Sequence, residues 1–238
     1  MQPAARFWVV IPAAGAGTRM GGAIPKQYLP LAGRTVIEYV LDVFLSDPRI
    51  AGITVAIAET DSYWPHYLLR SQGKPVRIAK GGVQRVNSVL NALHSLRQEL
   101  REQDWVLVHD AARPCLHPSD LDRLIETLRQ DSVGGILATP LVDTVKCVDH
   151  EQRIRETPAR QNLWRAFTPQ MFRYRLLSDA MNAALKRGQA PTDEAAAMES
   201  AGHVVRVVEG RSDNIKITRP EDLALVAAIL NQPRGVSP

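Results

Sequence analysis

Pro12-Ala13-Ala14-Gly15-Ala16-Gly17-Thr18-Arg19, with Pro25-Lys26-Gln27 close behind, follows directly on the apolar run Phe7 to Ile11. A buried strand that empties into small residues presents bare backbone N–H groups, and Gly15 and Gly17 let that backbone approach a bulky anion. Arg19 and Lys26 add two cations to the same stretch. Such a set can hold a triphosphate and neutralise charge that grows as one phosphoryl unit is transferred. The chemistry is that of an enzyme acting on a nucleotide. Other Gly-loop chemistries fit less well. A P-loop needs Gly-Lys-Ser/Thr at fixed spacing after its first glycine, and the chain has none there. A dinucleotide-binding fold wants an acidic residue roughly 20 positions on, at the end of a second strand; Glu38 falls inside a helical pattern instead.

Further candidates sit where other strands end, the place at which open α/β sheets bind ligands. Gly81-Gly82, with Arg85 and Ser88, precedes an amphipathic helix; its amides and the Ser88 hydroxyl suit a base or ribose, or simply a turn and helix start. Asp110, in His109-Asp110-Ala111-Ala112-Arg113-Pro114, is placed to hold Mg²⁺ beside phosphates, directly or through water. Without the first loop it would read as a helix cap. His109 is a structural histidine, since no G-x-S-x-G nucleophile elbow accompanies it. Lys216 lies on a short strand after the Glu209-Gly210-Arg211 turn. Thr192-Asp193-Glu194 reads as an N-cap with acids in the first turn, favourable to the helix dipole, and could also face the site.

The elements that must position these residues alternate. Short β-branched runs, Phe7 to Ile11, Ile53 to Ile57, Val76 to Ala79, Trp105 to His109, Gly135 to Thr139 and His203 to Val208, are interleaved with helical patterns. That alternation is the sign of βαβ units, an α/β fold with a mainly parallel sheet flanked by helices. Val36 to Leu45 reads as one helix. Val86, Val89, Leu90, Leu93, Leu96 and Leu100 form the buried stripe of another, and a capping-box pattern at Thr218 to Glu221 opens the last. From Leu141 to Phe167 the pattern turns polar and loses periodicity. Residues 144–148 and 153–157 there suit a β-hairpin. The expected organisation is one domain over residues 1–140 and 168–232, a projecting arm at 141–167 and a frayed tail at 233–238. A hairpin with little core of its own suggests pairing with a second copy, a homodimer.

Composition narrows the function classes. The 238 residues are 45% apolar, enough for a full core. No apolar stretch is long enough to span a bilayer and no signal-peptide pattern opens the chain, so a soluble, cytoplasmic protein without a membrane role is expected. Cys115 and Cys147 form neither a disulfide framework nor a CxxC metal site. The net charge is +4, with 29 Lys and Arg residues against 25 acids. They form no basic stripe with interleaved aromatics, which favours small phosphorylated substrates over nucleic acid.

Seven motifs occur in an order that resembles the 2-C-methyl-D-erythritol 4-phosphate cytidylyltransferase family over roughly residues 7–230: the first loop with Pro25-Lys26-Gln27, Gly81-Gly82-x-x-Arg85-x-x-Ser88, His109 to Pro114, Asp143-Thr144-Val145-Lys146, Thr168-Pro169-Gln170, Thr192-Asp193-Glu194 and Asn214-Ile215-Lys216-Ile217-Thr218. The resemblance implies a Rossmann-like nucleotidyltransferase fold and transfer of CMP from CTP to 2-C-methyl-D-erythritol 4-phosphate, in the non-mevalonate route to isoprenoid precursors. It implies transition-state roles for Arg19 and Lys26 and placement of the acceptor by Arg160 and Lys216. Pro12, Ala13, Ala14, Gly15, Gly17, Gly82 and Ser88 match the nucleotide pocket. Asp110, Arg113 and Thr144 match the acceptor side, with Asp110 associated with Mg²⁺. The family is a homodimer whose arm reaches into the partner's site. Val83 departs from the pattern, standing where members carry Asp. The nearest rivals are a ribitol 5-phosphate cytidylyltransferase and other sugar-phosphate nucleotidyltransferases. A catalytically silent nucleotide-binding module would need neither Arg19 nor Lys26.

Overall fold

The computed structural model describes residues 5–15, 24–64 and 73–232. Its strands are β1 (Phe7–Pro12), β2 (Pro30–Leu31), β3 (Arg34–Thr35), β4 (Ile50–Ile57), β5 (Val76–Lys80), β6 (Trp105–Val108), β7 (Gly134–Pro140), β8 (Cys147–Val148), β9 (Ile154–Glu156), β10 (Trp164–Arg173) and β11 (Arg206–Glu209). Its α-helices are α1 (Val36–Ser46), α2 (Arg85–Ser95), α3 (Pro118–Leu128), α4 (Tyr174–Lys186), α5 (Glu194–Ser200) and α6 (Asp222–Leu230).

Seven strands form one sheet in the order β11-β7-β10-β6-β1-β4-β5. All neighbours pair parallel except β10, which runs antiparallel to both β6 and β7. Because side chains alternate across a strand, both faces of the sheet carry apolar residues. Val9, Ile11, Trp105 and Leu107 pack on one side with Ile37, Phe44, Leu121 and Leu124 of α1 and α3. Trp8, Val10, Val106 and Val108 pack on the other with α2, α4 and α5 through Val89, Leu93, Leu177 and Met198. A third cluster seats α6 against Leu31, Val36, Ala112 and Ile217.

Every sheet strand expected from the sequence is present, with ends shifted by up to three residues, but the short strand expected around Lys216 is not: residues 215–217 are irregular backbone, held by the Ile217 amide donating to Ala112 O at 2.8 Å. Within the seven-stranded sheet the strand that sequence reading did not anticipate is β10; the two-residue strands β2 and β3, paired with each other outside that sheet, were not anticipated either. Pro169 interrupts the run of β10, and proline lacks the N–H that a central strand donates. The chain accommodates it with a register shift against β7 between Ala166 and Gln170, a bulge that takes Phe167 to Pro169 out of regular pairing. Trp164–Ala166, placed in the polar excursion by their sequence, pair with Ala138–Pro140 as part of the sheet. The excursion itself is mostly exposed, and β8 and β9 form its short hairpin, Cys147 facing Glu156 and Val148 facing Ile154. The acid that closes the start of α6 is Asp222, whose Oδ2 accepts from the Thr218 and Arg219 amides at 2.7 and 2.8 Å, rather than Glu221. Among the described residues, no helix is long and apolar enough to cross a membrane.

Candidate active site

Parallel strands β1, β5 and β6 end on the same side of the sheet, and the segments that follow them line a cavity of about 530 Å³. Pro12, Ala13, Ala14 and Gly15 come from β1 and its exit, Gly82 to Arg85 and Ser88 from the turn after β5 and the start of α2, and Asp110 to Ala112 from the exit of β6. Lys26, Gln27, Lys216 and Thr218 complete the described lining. Gly17 and Arg19 lie outside the described residues.

Local hydrogen bonds explain why these segments meet. The Ala13 amide donates to Ala56 O and the Gly81 amide to Ile57 O, both at 2.7 Å, which holds the two loops to the end of β4. Gln27, 3% exposed, donates from Nε2 to Ala13 O at 2.7 Å and so brings Lys26 to the first loop. Lys26 Nζ lies 3.4 Å from Ile217 O, next in sequence to Lys216. A Cβ on Gly81 would stand 2.2 Å from Ala14 Cβ, and one on Gly82 the same distance from Asn87 Cβ. Close packing requires glycine at both. No described atom lies within 4 Å of a Cβ added at Gly15, so packing among the described residues does not require glycine there.

Ser88 is buried, its Oγ accepting from the Gly82 amide at 3.0 Å. It shapes the glycine turn, a use that reading it as a contact to base or ribose did not foresee. Glu38 accepts from the Thr35 amide and hydroxyl at 2.8 and 2.9 Å, closing the start of α1; it is a cap, as its helical position implied.

Asp110 is the electrostatic centre. Its Oδ1 accepts from Arg85 Nε at 3.0 Å, its Oδ2 from Lys216 Nζ at 2.8 Å, and Arg113 Nε approaches Oδ2 to 3.5 Å. Burial would push this carboxyl up, but Arg85, then Lys216 and Arg113, hold it far below the usual carboxylate range. Burial pushes the Arg113 guanidinium down, while Arg85, desolvated but paired with Glu194 and Asp110, is held above its ordinary value. The described charged residues lining the cavity are Lys26, Arg85 and Lys216 against Asp110, a surplus of positive charge. A polyanion matches that surplus.

His109 is fully buried. Its Nε2 lies 3.0 Å from Arg113 O, an acceptor only, so Nε2 carries the proton and Nδ1 accepts from Thr168 Oγ at 3.1 Å. Burial drives its pKa down to about 4, so the ring is neutral. Thr168 Oγ also accepts from the Asp110 amide at 3.1 Å. The bulge of β10 thus braces the end of β6.

Thr144 and Arg160 do not line this cavity. Both are exposed on the excursion after β7, where Arg160 Nη1 donates to Val142 O. Sequence reasoning read Thr218 only as the start of a capping box and Glu194 as a helix cap that could face the site; one lines the cavity and the other holds Arg85. For Thr218 the signal was present, at the end of the Asn214-to-Thr218 motif. For Asp110 as a Mg²⁺ ligand the donor set is a single ionised carboxylate lining the cavity, with no cluster of three or more His, Cys, Asp or Glu among the described residues. That fits an ion held largely by nucleotide phosphates and water.

The seven-stranded sheet and the cation-lined cavity at its strand ends define an α/β nucleotidyltransferase, and solved structures agree. A 4-diphosphocytidyl-2C-methyl-D-erythritol synthase superposes with a TM-score of 0.82 at 34% identity, covering 97% of this chain and 100% of its own. The 2-C-methyl-D-erythritol 4-phosphate cytidylyltransferase of Francisella tularensis gives 0.80 at 37% identity, covering 94% and 100%. The protein of that name from Pseudomonas paraeruginosa (strain DSM 24068 / PA7) is 55% identical over 218 residues, 91% of this chain and 93% of its own. The family model for 2-C-methyl-D-erythritol 4-phosphate cytidylyltransferase matches residues 7–232. The chain belongs to that family.

Proposed function

We propose that this chain transfers CMP from CTP to 2-C-methyl-D-erythritol 4-phosphate, releasing pyrophosphate, a step toward isoprenoid precursors. The observation that carries the reading is the convergence of Lys26, Lys216 and Asp110 on one cavity with the exit of β1, in a chain of this family.

The acceptor's phosphate oxygen is already anionic and needs no general base. It attacks the α-phosphorus of CTP in line; the new bond joins acceptor oxygen to α-phosphorus, and the bond to the bridging oxygen of the β-phosphate breaks, its electron pair leaving with pyrophosphate. No covalent enzyme intermediate is required. The exit of β1 and the Gly82 turn cradle the nucleotide, Lys26 and Arg19 offset the charge of the five-coordinate centre and the leaving group, and Lys216 and Arg113 orient the acceptor phosphate. Asp110 holds Lys216 in place and is the residue that would help hold Mg²⁺. When bound, that ion supplies further shielding of phosphate charge.

Arg160 and Thr144 belong to this reading through a second copy of the chain. They sit on an exposed arm with Val142, Val148 and Ile154 also exposed, as expected of a homodimer whose arm completes the partner's acceptor site. Cys147 is an exposed free thiol, which suits a reducing cytoplasm.

The test is pyrophosphate release over a grid of CTP, UTP, ATP and GTP against methylerythritol 4-phosphate, ribitol 5-phosphate and a sugar 1-phosphate. Turnover concentrated in the CTP and methylerythritol phosphate cell is expected; preference for ribitol phosphate or a sugar phosphate would overturn the assignment.

A further inference from the structure

Glu194 opens α5, is wholly buried, and lies 109 residues from the side chain it grips. Its Oε1 and Oε2 accept from Arg85 Nη1 and Nη2 at 2.7 and 3.1 Å. This end-on clasp fixes the plane of the guanidinium. The Nε–H edge then has one direction left, and it donates to Asp110 Oδ1 at 3.0 Å. The other carboxylate oxygen, Oδ2, stays with Lys216 at 2.8 Å. A chain of contacts thus runs from Glu194 through Arg85 and Asp110 to Lys216, joining α5, α2, the end of β6 and the segment before α6.

The start of α5 is itself held firmly. Asp193 accepts from the Ala196 amide at 2.9 Å, and Gln170 of β10 donates to Asp193 Oδ2 and accepts from the Ala195 amide, both at 2.9 Å. Joining α5 to α2 does not require ions. Ala195, Ala197 and Met198 already share an apolar cluster with Val86 and Val89, and a buried ion pair is commonly no more stabilising than apolar residues of the same volume. What the pair adds is direction.

We propose that Glu194 is a positioning residue for the transfer reaction: by holding Arg85 end-on, it restricts Arg85 to one oxygen of Asp110 and leaves the other for Lys216. Deprived of Glu194, Arg85 turns its fork onto both oxygens of Asp110 and displaces Lys216 into the cavity. The proposal rests on the functional reading above for its kinetic consequence, but its structural consequence can be read without turnover.

Glu194→Gln keeps the shape and removes the charge; Glu194→Asp keeps the charge and draws the clasp back by one methylene, so it tests the same link should the first variant fail to fold. Per folded molecule, each lowers kcat with methylerythritol phosphate about tenfold or more, with KM for CTP within about threefold. Independently, the rate at which formaldehyde and borohydride methylate Lys216, followed by mass spectrometry, rises severalfold in each variant. Unchanged Lys216 labelling overturns the proposal even if wild-type turnover is not observed. Wild-type kcat in folded Glu194→Gln or Glu194→Asp also overturns it, while leaving the functional reading intact.

Discussion

Lys216 Nζ lies 2.8 Å from Asp110 Oδ2, tying the last segment before α6 to the end of a strand inside the sheet. Asp110 is the carboxylate shared by Arg85, Arg113 and Lys216. Asp110→Asn leaves these cations facing one another in a largely buried place. Removing one partner of a buried pair typically costs about 3 kcal/mol or more, so the urea midpoint falls at constant m-value. Turnover is lost as well, since Lys216 no longer has its anchor.

Lys26→Ala keeps the fold, because Gln27 carries the anchoring bond to Ala13. It removes a donor aimed at the reacting phosphates, worth about 3 kcal/mol of barrier, or on the order of a hundredfold in kcat. Steady-state pyrophosphate release measures it; near-normal turnover would refute the role.

Arg160 lies on the exposed arm, away from the nucleotide cavity of its own chain. Arg160→Ala raises KM for the acceptor and leaves CTP affinity by titration close to wild type. If the arm serves the partner's site, a refolded equal mixture of Arg160→Ala and Lys26→Ala chains regains about a quarter of wild-type activity, because half the dimers then hold one intact site of two. No recovery on mixing argues for an arm that serves its own chain.

His109 sets a pH limit on stability. Its folded pKa of about 4 lies below the ordinary 6.5, so between those values the unfolded chain binds the proton that the folded chain refuses. The stabilisation is complete above pH 6.5 and is lost as pH falls toward 4, amounting to about 2 kcal/mol between pH 7 and pH 5. Denaturant unfolding at the two pH values reads the loss. His109→Gln, whose amide can serve both Thr168 and the Arg113 carbonyl, flattens the dependence. Asp110, held below the carboxylate range, adds stability above the unfolded Asp pKa, and this is lost only as pH falls through its depressed folded value.

Chelation separates substrate-borne metal from a structural site. With Asp110 the one carboxylate among the described residues lining the cavity, EDTA stops turnover and leaves the melting temperature unchanged. A fall in melting temperature would point to a built-in ion.

The first loop and the alternation of strand and helix were legible because both are local. Glycine spacing and the period of apolar residues follow from backbone sterics and from which face each residue turns inward. That is why the strand from Phe7 to Ile11, the helix from Val36 to Leu45 and the cavity residues Lys26, Gly82 and Asp110 could be named from local pattern, while Lys216 entered only through the family resemblance. Strand β10 was not legible. Pro169 argues locally against a central strand, and only neighbours on both sides, β6 and β7, make the bulged pairing worthwhile. Glu194 was half legible: its local pattern, an acid in the first turn of a helix, fully accounts for its presence. Its grip on Arg85 depends on α5 and α2 meeting on one face of the sheet, and no local rule spans the 109 residues between them. The sequence by itself determined the chemistry available and the elements carrying it. The tertiary structure alone decided which charges share Asp110, because the Coulomb attraction that couples them acts through space and is strongest where packing has excluded water.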